Sequence, residues 1–317
     1  EICMKELIAG KNESGQRLDK LLFKYLPDAG KGFVYKMIRK KNITLNDSRC
    51  EGNETVNEGD SIKLWLSDET IAKFSRSESD SAETVSLHKS TYKLYPLYED
   101  DDIIVFNKPA GLLSQKSKPD DISVNDILIK YLIDSGQLSA EQLKTFRPSI
   151  CNRLDRNTSG IVICGKSLKG LQDMAFVLKD RSLHKDYIAV VEGELRTAGS
   201  LKGYITKDRL RNIVTDDENG EYIETEYRPL STDGNRSFLM VRLITGKTHQ
   251  IRFHLASCGH PIVGDRKYGS GKGASRQLLH AFRITFKDGQ CITADLPEDM
   301  KWEHGNPGAF EDLPLKI

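Results

Sequence analysis

Asn152-Arg153-Leu154-Asp155-Arg156-Asn157-Thr158-Ser159-Gly160, running straight into Ile161-Val162-Ile163-Cys164, decides how this chain of 317 residues is read. An acid between two arginines is followed by small turn-forming residues and then by a β-prone apolar run, so a polar loop feeds a buried strand. Close arginines favour an ionised carboxylate, by about 1–3 pKa units per partner. Asp155 therefore reads either as a positioned nucleophile or base or as an acid that simply pins its loop. The same stretch holds a second pattern, because Gly160 to Ser167 fits G-x-x-x-x-G-K-[ST]. A phosphate-binding loop needs a strand before its first glycine and a flexible turn between the glycines. Here polar residues precede Gly160, and the four residues between the glycines suit a ladder rather than a phosphate cradle. A nucleotide-hydrolysing enzyme acting on RNA is the rival that this pattern raises, and the inverted order argues against it.

Around this stretch lie further strand candidates: Ile103–Phe106, Tyr187–Val191, Thr225–Leu230, Phe238–Ile244 and Ile284–Phe286. Helical spacing appears at Leu168, Leu171, Ala175 and Leu178. Many strands with few helices and no regular βαβ alternation predict an α+β fold. The chain length suggests about two domains. Ahead of the larger one, Leu18, Leu21, Leu22, Tyr25 and Leu26 give one apolar helix face, closed by Pro27 and Gly30. A second short helix carries Phe33, Met37 and Ile38 inward, and extended stretches follow at 43–46 and 61–66. Residues 1–66 thus read as a small α/β domain, 67–93 as a Ser-rich acidic linker, and 94–317 as the main domain.

The formal net charge is +1, with a mean hydropathy of −0.48. That balance excludes binding to nucleic acid through bulk charge, yet it is a cancellation. Residues 16–49 hold nine Lys/Arg against three acids, and residues 240–283 hold eight against one. The linker region and the last 23 residues are acidic. Two basic segments in separate domains predict a polyanion partner. No apolar run reaches the ~18–20 residues of a membrane span, and the start of the chain carries no signal-peptide pattern. The six cysteines are scattered without a C-x-x-C pair, which fits free thiols in a cytoplasmic protein.

The third informative stretch is Leu243-Ile244-Thr245-Gly246-Lys247-Thr248-His249-Gln250-Ile251-Arg252-Phe253-His254-Leu255, continuing to Gly259-His260-Pro261 and Lys267-Tyr268-Gly269. His249 and His254 are five apart with no Glu between them, which is not the spacing of a zinc helix. Ile251, Leu255 and Arg252 suggest a helix with one buried face and a basic side.

These segments together resemble the RluA-type pseudouridine synthase family. Its signature H-R-L-D-x-x-T-S-G matches Asn152–Gly160 except for Asn152 in place of His. Its block T-G-R-T-H-Q-I-R-x-H-L…G-H-P-I-x-G-D…Y-G matches Thr245–Gly269, with Lys247 in place of Arg. Asn107-Lys108-Pro109-Ala110-Gly111, Lys185–Ala189 and Leu278–Ala281 fall where the family has its other blocks. Residues 16–66 resemble the small RNA-binding module of the ribosomal-protein S-four type.

The resemblance implies a mixed, mainly antiparallel catalytic domain that isomerises uridine to pseudouridine in RNA without cofactor or metal. It makes Asp155 the nucleophile, with Arg252 paired to it and Tyr187 against the target base. Arg153 is expected to help flip the nucleotide and Leu279 to line the pocket. The family implies large-subunit ribosomal RNA as the partner, with transfer RNA or a non-catalytic assembly role as alternatives. A monomer with no membrane attachment is expected.

Overall fold

The computed structural model describes residues 4–75, 92–208 and 210–301. The small unit contains β1 (Met4–Ile8), α1 (Leu18–Tyr25), α2 (Lys31–Arg39), β2 (Ile43–Leu45) and β3 (Ser61–Trp65). β3 is the middle strand of an antiparallel three-stranded sheet in the order β1-β3-β2. Its alternation puts Ile62 and Leu64 inward, against Leu18, Leu21, Leu22 and Tyr25 of α1 and Val34, Met37 and Ile38 of α2. Phe33 is only half buried, and Val34 takes the inward place beside Met37. Asn46 turns the chain in the left-handed region (φ 49°), and its side-chain oxygen accepts the Ser61 N–H at 2.9 Å.

Part of the stretch read as linker is structured. Asp68–Phe74 forms a helix, α3, whose cap Ser67 accepts from Thr70 N–H at 3.2 Å. Ile71 and Phe74 pack on the small core, and Phe74 meets Phe33 with ring centroids 4.6 Å apart. Two apolar side chains on one turn outweigh a composition dominated by Ser and acids. The rest of that stretch, 76–91, lies outside the described residues.

The larger unit is built on one sheet. Its strands are β4 (Pro96–Glu99), β5 (Ile103–Lys108), β6 (Ser149–Ile150), β7 (Ser159–Gly165), β8 (His184–Glu192), β9 (Gly199–Asp208), β10 (Ile213–Asp216), β11 (Glu221–Thr232), β12 (Arg236–Leu243), β13 (Leu279–Thr285) and β14 (Cys291–Thr293). Three helices accompany them: α4 (Val124–Asp134), α5 (Leu168–Lys179) and α6 (Gln250–Ser257). The order is β10-β9-β11-β12-β8-β13-β7-β5-β4, with β14 on β13 and β6 on β7. Every described pairing in it is antiparallel except β7 with β13. The fold is α+β with a mainly antiparallel sheet.

Both faces of the central strands are covered. Tyr187, Ala189, Leu279 and Ala281 share one core with Ile251 and Leu255 of α6, while Ile188, Val190, Met240 and Phe282 belong to a second. β13 starts five residues earlier than its apolar pattern suggests, because a register shift between Ala281 and Arg283 breaks the alternation.

β7 is buried throughout, and its amides pair with β5. The glycine–lysine pattern over 160–167 is therefore a strand and a helix cap: Lys166 binds Glu99 at 2.6 Å, and Ser167 accepts from Gly170 N–H of α5 at 2.9 Å. Gly160 (φ 111°) lies so close to β13 that a Cβ there would stand 2.2 Å from the Ala281 carbonyl oxygen.

Half of the Lys and Arg side chains of the basic segment 240–283 are internal. Arg242 and Arg283 flank Asp186, Arg252 binds Asp155 and Asp265, and Arg276 binds Asp299; all four arginines are buried. Arg252 thus lies on the inner side of α6 rather than on a solvent-facing basic side, because two carboxylates meet it there. In the small unit, by contrast, Lys31, Lys36, Arg39, Lys40 and Lys41 are exposed. Among the described residues no helix is long and apolar enough to cross a membrane.

Candidate active site

Asp155 lies in the loop between β6 and β7, with its side chain 27% exposed. That loop is fastened from several directions. Lys108, fully buried at the end of β5, donates to the carbonyls of Pro109, Leu112 and Arg156 at 3.0, 2.8 and 3.1 Å. Three protons meet three acceptors, which offsets the cost of burying the ammonium. Burial nevertheless pulls its pKa down to about 7, opposed by the charge of Asp155 and assisted by that of Arg276. Ser114 Oγ accepts from Leu154 N–H at 3.0 Å and donates to Leu154 O at 2.9 Å. Arg276 donates Nη1–H to Asn157 O at 3.1 Å and clamps Asp299 with two bonds of 2.7 Å.

Asn152 accepts from Ile163 N–H at 2.7 Å and donates to Ile161 O at 3.3 Å, so it braces the edge of β7 rather than facing Asp155. His280 bridges β7 and the chain beyond β13. Its Nε2 lies 3.1 Å from Ala294 O, a pure acceptor, so Nε2 carries the proton and Nδ1 accepts from Ser159 Oγ at 2.9 Å.

The charge partner of Asp155 is neither neighbouring arginine. Arg252 Nη1–H donates to Asp155 Oδ2 at 2.7 Å, from 97 positions away. Arg252 is itself fixed by two bonds to the fully buried Asp265, Nε–H to Oδ2 at 2.7 Å and Nη2–H to Oδ1 at 2.9 Å. Burial works against the Arg252 charge, but the Asp265 bond and the two carboxylates outweigh it and raise its pKa. For Asp265 burial pushes upward, and the Arg252 bond and charge bring the pKa below its ordinary value. The guanidinium fork suits this task, since one edge is spent on Asp265 while Nη1 reaches Asp155. Its plane also lies over Tyr268, 5.3 Å from the ring centroid.

Tyr187 stands on β8 beside Ala281 of β13 and Val241 of β12. Its pKa is raised by burial and by the charge of Asp155. Leu279, buried at the start of β13, lies on the same sheet face, opposite Ala189. Arg153 is exposed and has no ion pair among the described residues. The structure therefore brings Asp155 and Arg252 together, sets Tyr187 and Leu279 on a common apolar wall, and leaves Arg153 free at the rim.

Sequence gives Lys108, Asp265, Tyr268 and Arg276 no individual role, and raises His249 only as a metal ligand that its spacing disfavours. Asp265, Tyr268 and His249 lie inside the matched 245–269 block, so the motif held the signal without the pairing.

A family model described as RNA pseudouridylate synthase matches residues 102–257. The chain is 34% identical over 293 residues to "Ribosomal large subunit pseudouridine synthase C" of Rickettsia bellii, covering 88% of this chain and 92% of that protein. The chain belongs to the RNA pseudouridylate synthase family. It is also 32% identical over 292 residues to "Ribosomal large subunit pseudouridine synthase D" of Borreliella burgdorferi, covering 88% of this chain and 84% of that one. Among solved structures, "Human RNA Pseudouridylate Synthase Domain Containing 4" superimposes with a TM-score of 0.53 at 20% identity, over 69% of this chain and 94% of that one. That likeness supports the fold. As an RNA pseudouridine synthase, the protein has a partly exposed carboxylate, an anchored guanidinium and an apolar aromatic wall on one side of one sheet.

Proposed function

We propose that this synthase isomerises uridine to pseudouridine in large-subunit ribosomal RNA, with Asp155 as the reacting carboxylate. The observation that carries the assignment is the Asp155–Arg252 bond of 2.7 Å, made by an arginine already immobilised on buried Asp265. A carboxylate held this way is oriented before substrate arrives, which lowers the reorganisation needed at the reacting centre. In the reaction the C1′–N1 bond of uridine breaks, the base rotates, C1′ joins C5, the C5 hydrogen leaves as a proton, and N1 takes up a proton. An acid recessed beside β7 requires the nucleotide to leave its stack, at a cost of a few kcal/mol. Tyr187 offers the flat face for the extruded base, Leu279 the apolar wall, and Arg153 a free cation at the rim to occupy the vacated stack.

The names of the Rickettsia and Borreliella relatives support the choice of large-subunit ribosomal RNA. The exposed lysines and arginine of α2 support an RNA-binding role for the small unit. A cytoplasmic monomer fits such a substrate.

The test is tritium release from RNA carrying C5-tritiated uridine. Asp155→Ala is expected to lose turnover entirely while RNA affinity stays within about twofold. Full turnover in that variant overturns the assignment. Carbodiimide mapping of ribosomal and transfer RNA from a deletion strain, in which one pseudouridine should revert to uridine, identifies the substrate.

A further inference from the structure

The two oxygens of Asp155 have different surroundings. Oδ2 takes the Arg252 Nη1–H at 2.7 Å and faces His249 Nε2 at 3.7 Å. Oδ1 has no partner among the described residues. His249 stands at the N-terminus of α6 in the left-handed region (φ 55°, ψ 13°), a conformation uncommon for a residue with a side chain. Its ring is held from the other side. His249 Nδ1 lies 2.9 Å from the hydroxyl of Tyr268, and that hydroxyl also accepts Val214 N–H of β10 at 2.7 Å.

These contacts select a tautomer. An amide can only donate, so Val214 occupies one lone pair of the Tyr268 oxygen. If Nδ1 carried the imidazole proton, the phenol proton would lack an acceptor, and the bare Nε2 lone pair would face a carboxylate. With the phenol donating to Nδ1, both faults vanish and an N–H at Nε2 points at Asp155 Oδ2. Burial pushes the His249 pKa down to about 4, with the Asp155 charge opposing and the charges of Arg252, Lys267 and Lys207 reinforcing, so the ring is neutral near pH 7. Burial also raises the Tyr268 pKa, which keeps the phenol proton available.

We propose that His249, oriented by Tyr268, is a positioning residue that presents a neutral Nε2–H to Asp155 Oδ2 and, with Arg252, reserves Oδ1 for the reaction. The inference rests on the reading of Asp155 as the reacting carboxylate. The 3.7 Å separation closes to a hydrogen bond when substrate compresses the site, as catalytic contacts commonly do. Neutrality matters here, because a second cation beside Arg252 would draw charge from the carboxylate whereas a dipole only orients it.

Nitrogen NMR of the full-length protein labelled in its histidine side chains tests this directly. The signal that disappears in His249→Gln is expected to be that of a neutral Nε2–H ring, and in Tyr268→Phe it should move toward a mixture of tautomers. A neutral Nδ1–H ring or an imidazolium in the wild type overturns the proposal without recourse to any variant's folding. In single-turnover tritium release, His249→Leu should slow the chemistry about tenfold to a hundredfold, with RNA affinity within about twofold. His249→Gln, which keeps an N–H able to reach Asp155, should recover to within about fivefold of wild type. Equal rates in Leu and Gln variants of unchanged melting temperature overturn the positioning role. If Asp155→Ala is inactive while the His249 variants turn over normally, only this role fails; if Asp155→Ala is active, the reading beneath it fails.

Discussion

Replacing Gly160 by Ala puts one methyl group where the two halves of the large sheet meet. The backbone there has φ of 111°, outside even the left-handed region that L-residues visit, at a cost of at least about 1–2 kcal/mol. The added carbon would lie 2.2 Å from Ala281 O and 2.5 Å from Ala281 N, where real contacts do not fall below 3.0 Å. β7 and β13 must therefore separate by about 0.8 Å, and both contacts are backbone, so no rotamer change relieves them. Overpacking of this kind costs a further 1–3 kcal/mol or so. Together about 2–5 kcal/mol is lost, which lowers the melting temperature by roughly 5–15 °C. Asp155 is only five positions upstream, and a displacement near 1 Å in a catalytic group reduces rate about a hundredfold. Differential scanning calorimetry and single-turnover tritium release on the same preparation measure both effects. A Gly160→Ala protein that melts and turns over like wild type would refute the view that close packing of β7 on β13 sets the position of Asp155.

Other outcomes follow from the same geometry. Arg252→Lys keeps the charge but cannot hold Asp265 with a fork while reaching Asp155; turnover should fall at least tenfold, and urea unfolding should show a loss of about 2 kcal/mol. Burial pushes His249, His254 and His280 to about 4, below their ordinary 6.5. The unfolded chain therefore binds protons first as pH falls, and stability decreases between pH 6.5 and 4, by about 2 kcal/mol per histidine at pH 5. Urea midpoints at pH 7 and pH 5 measure this, and His280→Gln should flatten the dependence. Reversing Lys36, Arg39 and Lys40 to Glu should weaken RNA binding and flatten its salt dependence by about 0.7–0.9 per lost phosphate contact, in filter-binding titrations, without changing the melting temperature.

Much of the site was legible because its chemistry is written in contiguous blocks. Asp155 and the turn before β7 stand together in one stretch, and Arg252 sits in another whose order and spacing are distinctive. What sequence could not supply was the pairing between stretches. The arginines flanking Asp155 looked like its partners, yet Arg153 points to solvent and Arg156 Nε–H bonds Gly111 O at 3.1 Å. Only half of the basic side chains of 240–283 reach the surface, which summing along the chain cannot see, because Asp186, Asp155, Asp265 and Asp299 neutralise the four buried arginines in space. β9 was missed because its outward face carries Lys202, Tyr204 and Thr206 while Gly203 interrupts the inward one, so neither side shows a clean apolar alternation. Asp68–Phe74 is hard to see in sequence because its two packing side chains, Ile71 and Phe74, leave too short an apolar period to recognise among Ser and acids.

The parallel pairing of β7 with β13 joins residues about 120 positions apart: Ser159 lies opposite His280 and Gly160 opposite Ala281. Arg252 and Arg276, which hold Asp155 and its loop, also come from this late part of the chain, and Arg276 in turn needs Asp299. Contacts so distant in sequence form slowly and cannot form at all until both partners exist. On a growing polypeptide Asp155 is made well before the residues that frame it. A chain interrupted anywhere before residue 299 holds Asp155 without its full scaffold. The frame around Asp155 is thus complete only once residue 299 has been made.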